Sequence, residues 1–188
     1  MSNSILDSGN RTKFSTGAVR DIKDDVGRCD LLPLDVVSYL IREHSKHNTI
    51  KDIADFMKSG DEIHLRYAIE SFCDVVGWTI PECLLEVSMH YKQGAEKYGE
   101  RNWEKGILLH SYIDSGVRHF LKYIDGRTDE RHDRAFVWNM LGAIWTMENK
   151  EDTELIDIPF ELLGSKEGEE NERLDRKQNF NLCNAWRK

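Results

Sequence analysis

The sequence predicts an all-α protein, a helical bundle of about five to six helices, and three observations support this. Apolar residues recur at spacings of three and four along most of the chain. Glycines end several of these apolar segments, and only three prolines occur in 188 residues. No stretch shows a convincing alternation of apolar and polar residues, although 155–160 could be a short extended piece. Helices with one apolar face each are expected to pack around a shared core.

Three helices are expected in the first half of the chain. Pro33 opens the first, because proline is favoured in the first turn of a helix. Thr49 can cap a second, short helix that ends at Gly60. Asp61 can cap a third helix that ends at Gly77.

Three further helices follow. The fourth has the clearest start, since Thr79 and Glu82 form a capping box with Pro81 in the first turn. A fifth apolar segment ends at Gly126, and a sixth is expected to begin near Asp129. The predicted organisation is therefore a flexible arm over 1–13, a single helical domain over 14–163 and a polar, charged C-terminal tail over 164–188.

Composition excludes several functional classes. The formal charge of −8 argues against a duplex nucleic-acid binder, but not against a small anionic ligand held by local cations. No apolar run approaches the length of a membrane span, and the polar N-terminus predicts no export signal. The four cysteines lack metal-finger spacing. We therefore expect a cytoplasmic protein with reduced thiols and no membrane partner.

Polar residues recur at intervals of four on two of the predicted helices. Glu86 and His90 share a face of the fourth helix and suit a divalent metal or proton transfer, although a solvated face also explains them. On the fifth helix Asp114, Arg118 and Lys122 follow one another at intervals of four. Asp114 and Arg118 could be a simple helical ion pair, but guanidinium and ammonium groups also suit a triphosphate.

Two further regions carry polar or aromatic groups. His132 and Asn139 lie on one face of the sixth helix, and Asn139 interrupts an apolar run, so it either clamps a neighbouring helix or contacts a ligand. The segment 94–103 mixes glycines, cations, an amide and aromatic rings that could stack on a base. It could equally be a glycine-capped helix end with a tryptophan that anchors the next loop.

Other motifs are too weak to carry a function. The dipeptide His132–Asp133 is shared with metal-dependent HD phosphohydrolases, for which His90, His119 and Asp157 could be further ligands. The spacing of Glu82 and Glu86 misses the E-x-x-E motif of MazG-like pyrophosphohydrolases. The sequence has neither a Walker loop nor a G-x-G-x-x-G motif.

Several motifs occur in a recognisable order. They are T-G-A-V-R-D from residue 16, G-R-C-D-L-L-P from 27, G-A-E-K-Y-G-E-R-N-W-E-K-G at 94–106, S-Y-I-D-S-G-V-R-H at 111–119, His132, and W-N at 138–139. This order resembles the phage-associated family of dATP/dGTP diphosphohydrolase N-terminal domains. The resemblance covers roughly residues 14–37 and 84–148.

The resemblance implies an all-α domain that handles purine deoxynucleotides. The residues that the resemblance implies as functional are Lys97, Tyr98, Asn102, Trp103, Arg118, His119, His132 and Asn139. The chain departs from the family in an apparent inserted pair of helices over about 38–80. It also has Ala135 where the family often has a second histidine.

The leading hypothesis is a nucleotide pyrophosphohydrolase-like protein that acts on dATP or dGTP, in the host cytoplasm if phage-encoded. Mg²⁺ would bridge the phosphates. Glu86 and Asp114 would hold the metal or orient water, Arg118 and Lys122 would stabilise phosphate charge, and His119 or His132 would transfer a proton.

Two alternatives remain. The first is a non-catalytic binder of a purine nucleotide or nucleotide-derived signal (a sponge of the phage anti-defence type), which Ala135 in place of a second histidine favours. The second is a helical scaffold whose tryptophans are core. A homo-oligomer is also expected, with helices over 49–77 as the candidate interface.

Overall fold

The computed structural model describes residues 11–21, 27–45, 48–150 and 154–160. The strands and α-helices in these ranges are β1 (Arg11–Lys13), β2 (Val19–Asp21), α1 (Leu34–Ser45), α2 (Thr49–Ser59), α3 (Ile63–Val76), α4 (Ile80–Tyr98), α5 (Leu109–Ile124) and α6 (His132–Asn149). Six helices and one small sheet confirm the predicted all-α class.

The helix ends follow the signals in the sequence. Gly60 and Gly77 cap α2 and α3 in the left-handed conformation, with φ of 72° and 81°. The predicted capping box is present, since Thr79 and Glu82 bond each other's backbone amides. Helix α6 begins at His132, three residues later than expected from Asp129.

The helices α5 and α6 pack closely along each other and form the centre of the bundle. The glycines Gly116 and Gly142 allow this approach, because a Cβ at Gly142 would lie 2.3 Å from the ring of Tyr112. Helix α3 packs on α6 through Phe72 and Phe136, whose ring centroids are 4.3 Å apart. The core is therefore built on α6, with α3, α4 and α5 around it.

A short antiparallel hairpin lies at the edge of the bundle. Its strands β1 and β2 pair Arg11 with Asp21 and Lys13 with Val19. The sequence does not predict this hairpin, because three-residue strands are too short to show alternation. Part of the predicted arm, residues 11–13, therefore forms β1, while 1–10 and the predicted tail 164–188 lie outside the described residues.

The segment 154–160 is irregular and lies against the start of α5. The carbonyl of Leu155 accepts a hydrogen bond from the amide of Leu109 at 2.9 Å.

Within the predicted insertion 38–80, α2 and α3 are complete helices and contribute Ile53, Phe56 and other buried side chains to the core. The domain boundaries themselves stay a prediction.

The outer surface retains several large apolar side chains. Those on or just before α1 and on α4 include Leu31, Val36, Tyr39, Leu40, Leu84 and Leu85. No helix within the described ranges combines the length and apolar character needed to cross a bilayer. The homo-oligomer stays a prediction, which a melting temperature that rises with protein concentration would support.

Candidate functional site

Arg20, on β2, reaches between α5 and α6. Its Nη1 donates to the carbonyl of Ser111 at 2.8 Å and its Nη2 donates to the amide oxygen of Asn139 at 2.7 Å. The guanidinium also lies 5.8 Å from the ring centroids of both Tyr112 and Trp138. Although part of the residue is exposed, burial of the guanidinium lowers the pKa of Arg20 from its ordinary value. Tyr112 and Asp114 act in the opposite direction on this pKa without reversing the shift. A partly desolvated cation therefore lies beside the bundle core.

A second cation lies at the end of α4. Lys97 donates to Asp21 of β2 at 2.6 Å, and both side chains are almost buried. Burial alone would lower the pKa of Lys97, but hydrogen bonds to Asp21 and Tyr98 outweigh it and raise that pKa. The ammonium also lies 5.2 Å from the ring centroid of Tyr98. The hairpin and α4 together thus place a charged amine beside an aromatic ring.

A small aromatic pocket of about 40 Å³ opens next to Lys97 and Tyr98. Its lining residues are Tyr91, Gly94, Ala95, Tyr98, Gly99, Arg101, Asn102, Trp103 and Trp138. Trp103 contacts Trp145 edge to face, with ring centroids 4.9 Å apart. Ligand pockets are usually several hundred Å³, so a nucleotide base would enter only after the aromatic side chains move apart.

Asn102 has a structural partner as well as a place in the pocket wall. Its side chain accepts from the amide of Val19 at 3.1 Å and donates to the carbonyl of Val19 at 2.9 Å. The carboxamide therefore pairs with β2 as a neighbouring strand would. This pairing fixes the hairpin, and with it Arg20, against the end of α4.

Arg118 and Asp114 form an ion pair along α5. Nη2 of Arg118 donates to both carboxylate oxygens at 2.6 and 2.7 Å and to the carbonyl of Gly27 at 2.6 Å. Asp114 also accepts from the amide of Cys29 at 2.6 Å. The buried Nη1 of Arg118 has no hydrogen-bond partner in the described part of the chain. One nitrogen of this guanidinium is thus available to an anionic oxygen.

Two histidines meet between α5 and α6. Nδ1 of His119 lies 3.0 Å from Nδ1 of His132, and both side chains are buried. Nε2 of His132 lies 2.9 Å from the carboxylate of Asp129. The same carboxyl group accepts from Lys122 at 3.1 Å. Glu130 completes a group with His119 and His132 whose possible ligand atoms lie within 4.8 Å of one another.

Glu86 lies in a different network. Its carboxylate accepts from Arg134 at 2.6 Å and from Arg131 at 3.1 Å. The hydrogen bond from Arg134 is the main reason why the pKa of Glu86 lies below its ordinary value. Asp133, the second member of the HD dipeptide, accepts from Arg131 at 2.7 Å. Glu86 is thus an ion-paired carboxylate here, and its predicted catalytic and metal-binding role stays a prediction.

The donor atoms decide which metal the site suits. Mg²⁺ prefers oxygen ligands, whereas the His119–Glu130–His132 group offers two imidazoles and one carboxylate. The carboxylates of Glu86 and Asp114 both accept from arginines, and neither belongs to a three-ligand group in the described residues. In this structure Glu86 and Asp114 are not arranged as a Mg²⁺ site, and the predicted Mg²⁺ stays a prediction.

Residues that were not among the predicted site residues connect those that were. Arg20 contacts Asn139 directly, and Trp138 lies in the same pocket wall as Trp103. Arg20 stood in the T-G-A-V-R-D motif, which was the available signal for it. Glu130 stands two residues before His132 and was not singled out, because only the fold brings both residues to His119. In this structure Asn139 bonds Arg20 of β2 and the carbonyl of Ala135 on its own helix, and its predicted contact with a ligand stays a prediction.

Comparison with curated proteins and with solved structures gives no match. A family model does match part of the chain, from the second half of α3 to Leu155. The matched range includes the 94–106 segment, Arg118, His119, His132 and Asn139, but not the motifs before residue 38. Over residues 70–155 the chain matches the family described as dATP/dGTP diphosphohydrolase, N-terminal, and this match confirms the resemblance for that part of the sequence.

Proposed function

We propose that the chain binds a purine deoxynucleoside triphosphate, dATP or dGTP, and hydrolyses it as a pyrophosphohydrolase. The family description supports a nucleotide substrate of this class. The observation that carries the proposal is Arg20, a partly desolvated cation whose two hydrogen bonds in the described residues go to the neutral acceptors Ser111 and Asn139. A triphosphate would supply the negative charge that these acceptors lack.

The aromatic pocket supports a base-binding role beside Arg20. Tyr98 and Trp103 form part of its wall, and either ring offers a face on which a purine can stack. Because the pocket is small, the proposal requires that Trp103 or Tyr98 turns outward when the base enters. Their partly exposed positions leave room for such a movement on the solvent side.

The phosphates would extend from this pocket towards the cations. Arg20, Lys97 and Arg118 are the candidates, and the unpartnered Nη1 of Arg118 favours a contact with a phosphate oxygen. Lys122 is more exposed and pairs with Asp129, so it would act at the outer end. Mg²⁺ would be held by the phosphate oxygens of the nucleotide.

Hydrolysis would consume one water and release a nucleoside monophosphate and pyrophosphate. In this proposal Asp114 or Glu86 orients the water. Because each carboxylate forms an ion pair with an arginine, it must first release that arginine. In the metal-free chain His119 or His132 would then accept or return the proton. These roles are proposed from residue type, and Glu86 would have to act from its separate network with Arg131 and Arg134.

The test combines binding and product analysis on the full chain. With dATP or dGTP and Mg²⁺, we expect pyrophosphate and monophosphate in equal amounts. Arg20→Gln should weaken nucleotide binding by about tenfold or more, since it removes a charge-assisted contact. The matched control is Arg66→Gln, at an exposed arginine of α3 paired with Glu148, which should leave binding unchanged. A chain that neither binds nor cleaves purine nucleotides would contradict the proposal.

A non-catalytic purine-nucleotide binder is the second candidate. The ion pairs of Glu86 and Asp114 favour it, because neither carboxylate is set to activate water without rearrangement. This candidate predicts that Arg20→Gln lowers affinity while the bound nucleotide is recovered intact. Recovery of unaltered dATP and dGTP after saturation binding would select it over the hydrolase.

A further inference from the structure

The paired histidines form a built site between two helices. His119 lies on α5 and His132 begins α6, and their side chains are nearly inaccessible to solvent. Their Nδ1 atoms face each other at 3.0 Å, with ring centroids 5.2 Å apart. Two imidazole nitrogens that converge in this way present their lone-pair positions to the same small volume.

The carboxylate beside His132 selects the tautomer of that ring. Asp129 accepts from Lys122, and it lies 2.9 Å from Nε2 of His132. An ionised carboxylate only accepts, so Nε2 of His132 carries the proton. In a neutral ring this leaves Nδ1 unprotonated and directed at His119. A carboxylate that orients a histidine through its other nitrogen is the usual second partner of a metal-binding imidazole.

The distances suit a shared metal ion. Two nitrogen ligands about 2.1 Å from an ion are about 3.0 Å apart when the nitrogen–metal–nitrogen angle is about 90°, the angle of octahedral coordination. Glu130 offers a carboxylate oxygen that lies within 4.8 Å of one ring nitrogen of each histidine. Imidazole with carboxylate is a donor set for Mn²⁺, Co²⁺, Ni²⁺, Zn²⁺ or Fe²⁺ rather than for Mg²⁺ or Ca²⁺.

We propose that His119, His132 and Glu130 bind one divalent transition-metal ion between α5 and α6. The site goes beyond the proposed function, because binding of the ion requires no nucleotide. A hydrogen bond from Nδ1 of His119 to Nδ1 of His132 would also give this short distance. The experiment must therefore distinguish metal binding from such a hydrogen bond.

The experiment titrates the chelator-treated full chain with Co²⁺ and records its visible absorption. We expect one Co²⁺ per chain and absorption bands typical of nitrogen and oxygen ligands. His119→Ala and His132→Ala should each weaken binding by about tenfold or more, and Glu130→Gln should weaken it without loss of fold. The matched control is His110→Ala, since His110 is on the same helix and also pairs with a carboxylate, that of Asp157.

Three outcomes would overturn the proposal. These are no Co²⁺ or Zn²⁺ binding by the parent chain, equal loss in the His110→Ala control, or undiminished binding in a folded Glu130→Gln and His132→Gln double variant. Circular dichroism and the melting temperature of each variant show whether it is folded. If an alanine variant is unfolded, the corresponding glutamine variant replaces it in the titration. If the chain binds Co²⁺ but hydrolyses no nucleotide, the hydrolase proposal is wrong and the metal site stands. If the chain hydrolyses nucleotide but binds no Co²⁺, the metal site is wrong and the hydrolase proposal stands.

Discussion

The carboxamide of Asn139 connects the hairpin to the centre of the bundle through Arg20. Its oxygen accepts from Nη2 of Arg20 at 2.7 Å, and its nitrogen donates to the carbonyl of Ala135 at 2.7 Å. Both polar atoms of a buried amide are thereby satisfied, in an environment where an unpaired group is costly. The same contact fixes the position of the cation on which the proposed nucleotide site depends.

Replacement of Asn139 by alanine should destabilise the fold. The variant leaves a donor of Arg20 without its acceptor, and we expect the free energy of unfolding to fall by about 1–3 kcal/mol. Urea denaturation measures the change. Asn149→Ala is the matched control, because Asn149 also donates to a carbonyl four residues earlier on α6 but is exposed. Its effect should stay within about 0.5 kcal/mol, and equal losses in both variants would show that the Arg20 contact contributes nothing.

Asn102 should govern the local stability of the hairpin. With Asn102→Ala, the amide of Val19 loses its acceptor and the carbonyl of Val19 loses its donor, so hydrogen exchange at Val19 should accelerate by at least about tenfold. Asn102→Asp keeps an acceptor and should retain more of the protection. Exchange in the centre of α6 is the internal reference and should not change. Unaltered exchange at Val19 in the alanine variant would contradict the clamp.

His90 should make the stability depend on pH. Burial, followed by the charges of Arg134 and Arg20, lowers the pKa of His90 from 6.5 to about 4, while Asp133 acts in the opposite direction. Between these values the unfolded chain binds the proton more readily than the folded chain does, so stability falls as the pH falls. From pH 7 to pH 5 the loss from this residue is about 2 kcal/mol.

The His90→Gln variant tests this assignment by urea denaturation at both pH values. It should show a smaller loss of stability between pH 7 and pH 5 than the parent chain, whatever its absolute stability. His64→Gln, at a partly exposed histidine of α3, is the matched control for the removal of a histidine. The same pH dependence in His90→Gln and the parent would exclude His90 as its source.

The two glycines between α5 and α6 should differ in their tolerance of alanine. A Cβ at Gly142 would meet the rigid ring of Tyr112 at 2.3 Å and 2.7 Å, so Gly142→Ala should cost about 1–3 kcal/mol. At Gly116 the nearest atom is the flexible methyl end of Met140, and the cost should be smaller. Gly94→Ala, in α4 with open space around it, should stabilise by up to about 1 kcal/mol. Melting temperatures in any other order would contradict this packing.

Local signals were sufficient for most of the helices. The capping box at Thr79 and the glycines Gly60 and Gly77 act within a few residues, so the sequence contains the whole interaction. The start of α6 was less well predicted, because Asp129 bonds the ring of His132 rather than beginning the helix. The hairpin was missed because its pairing is too short for a pattern and depends on Asn102, more than eighty residues away.

The sequence by itself determined the helical class, most helix ends, the aromatic segment at 94–103 and the motifs that the family match supports. These properties depend on neighbours along the chain, where spacing fixes which side chains share a face. Only the tertiary structure decided that Arg20 contacts Asn139, that Glu86 and Asp114 face arginines, and that Glu130 joins His119 and His132. Such pairings arise from the packing of α5, α6 and the hairpin, and an interaction across separate elements leaves no period in the sequence.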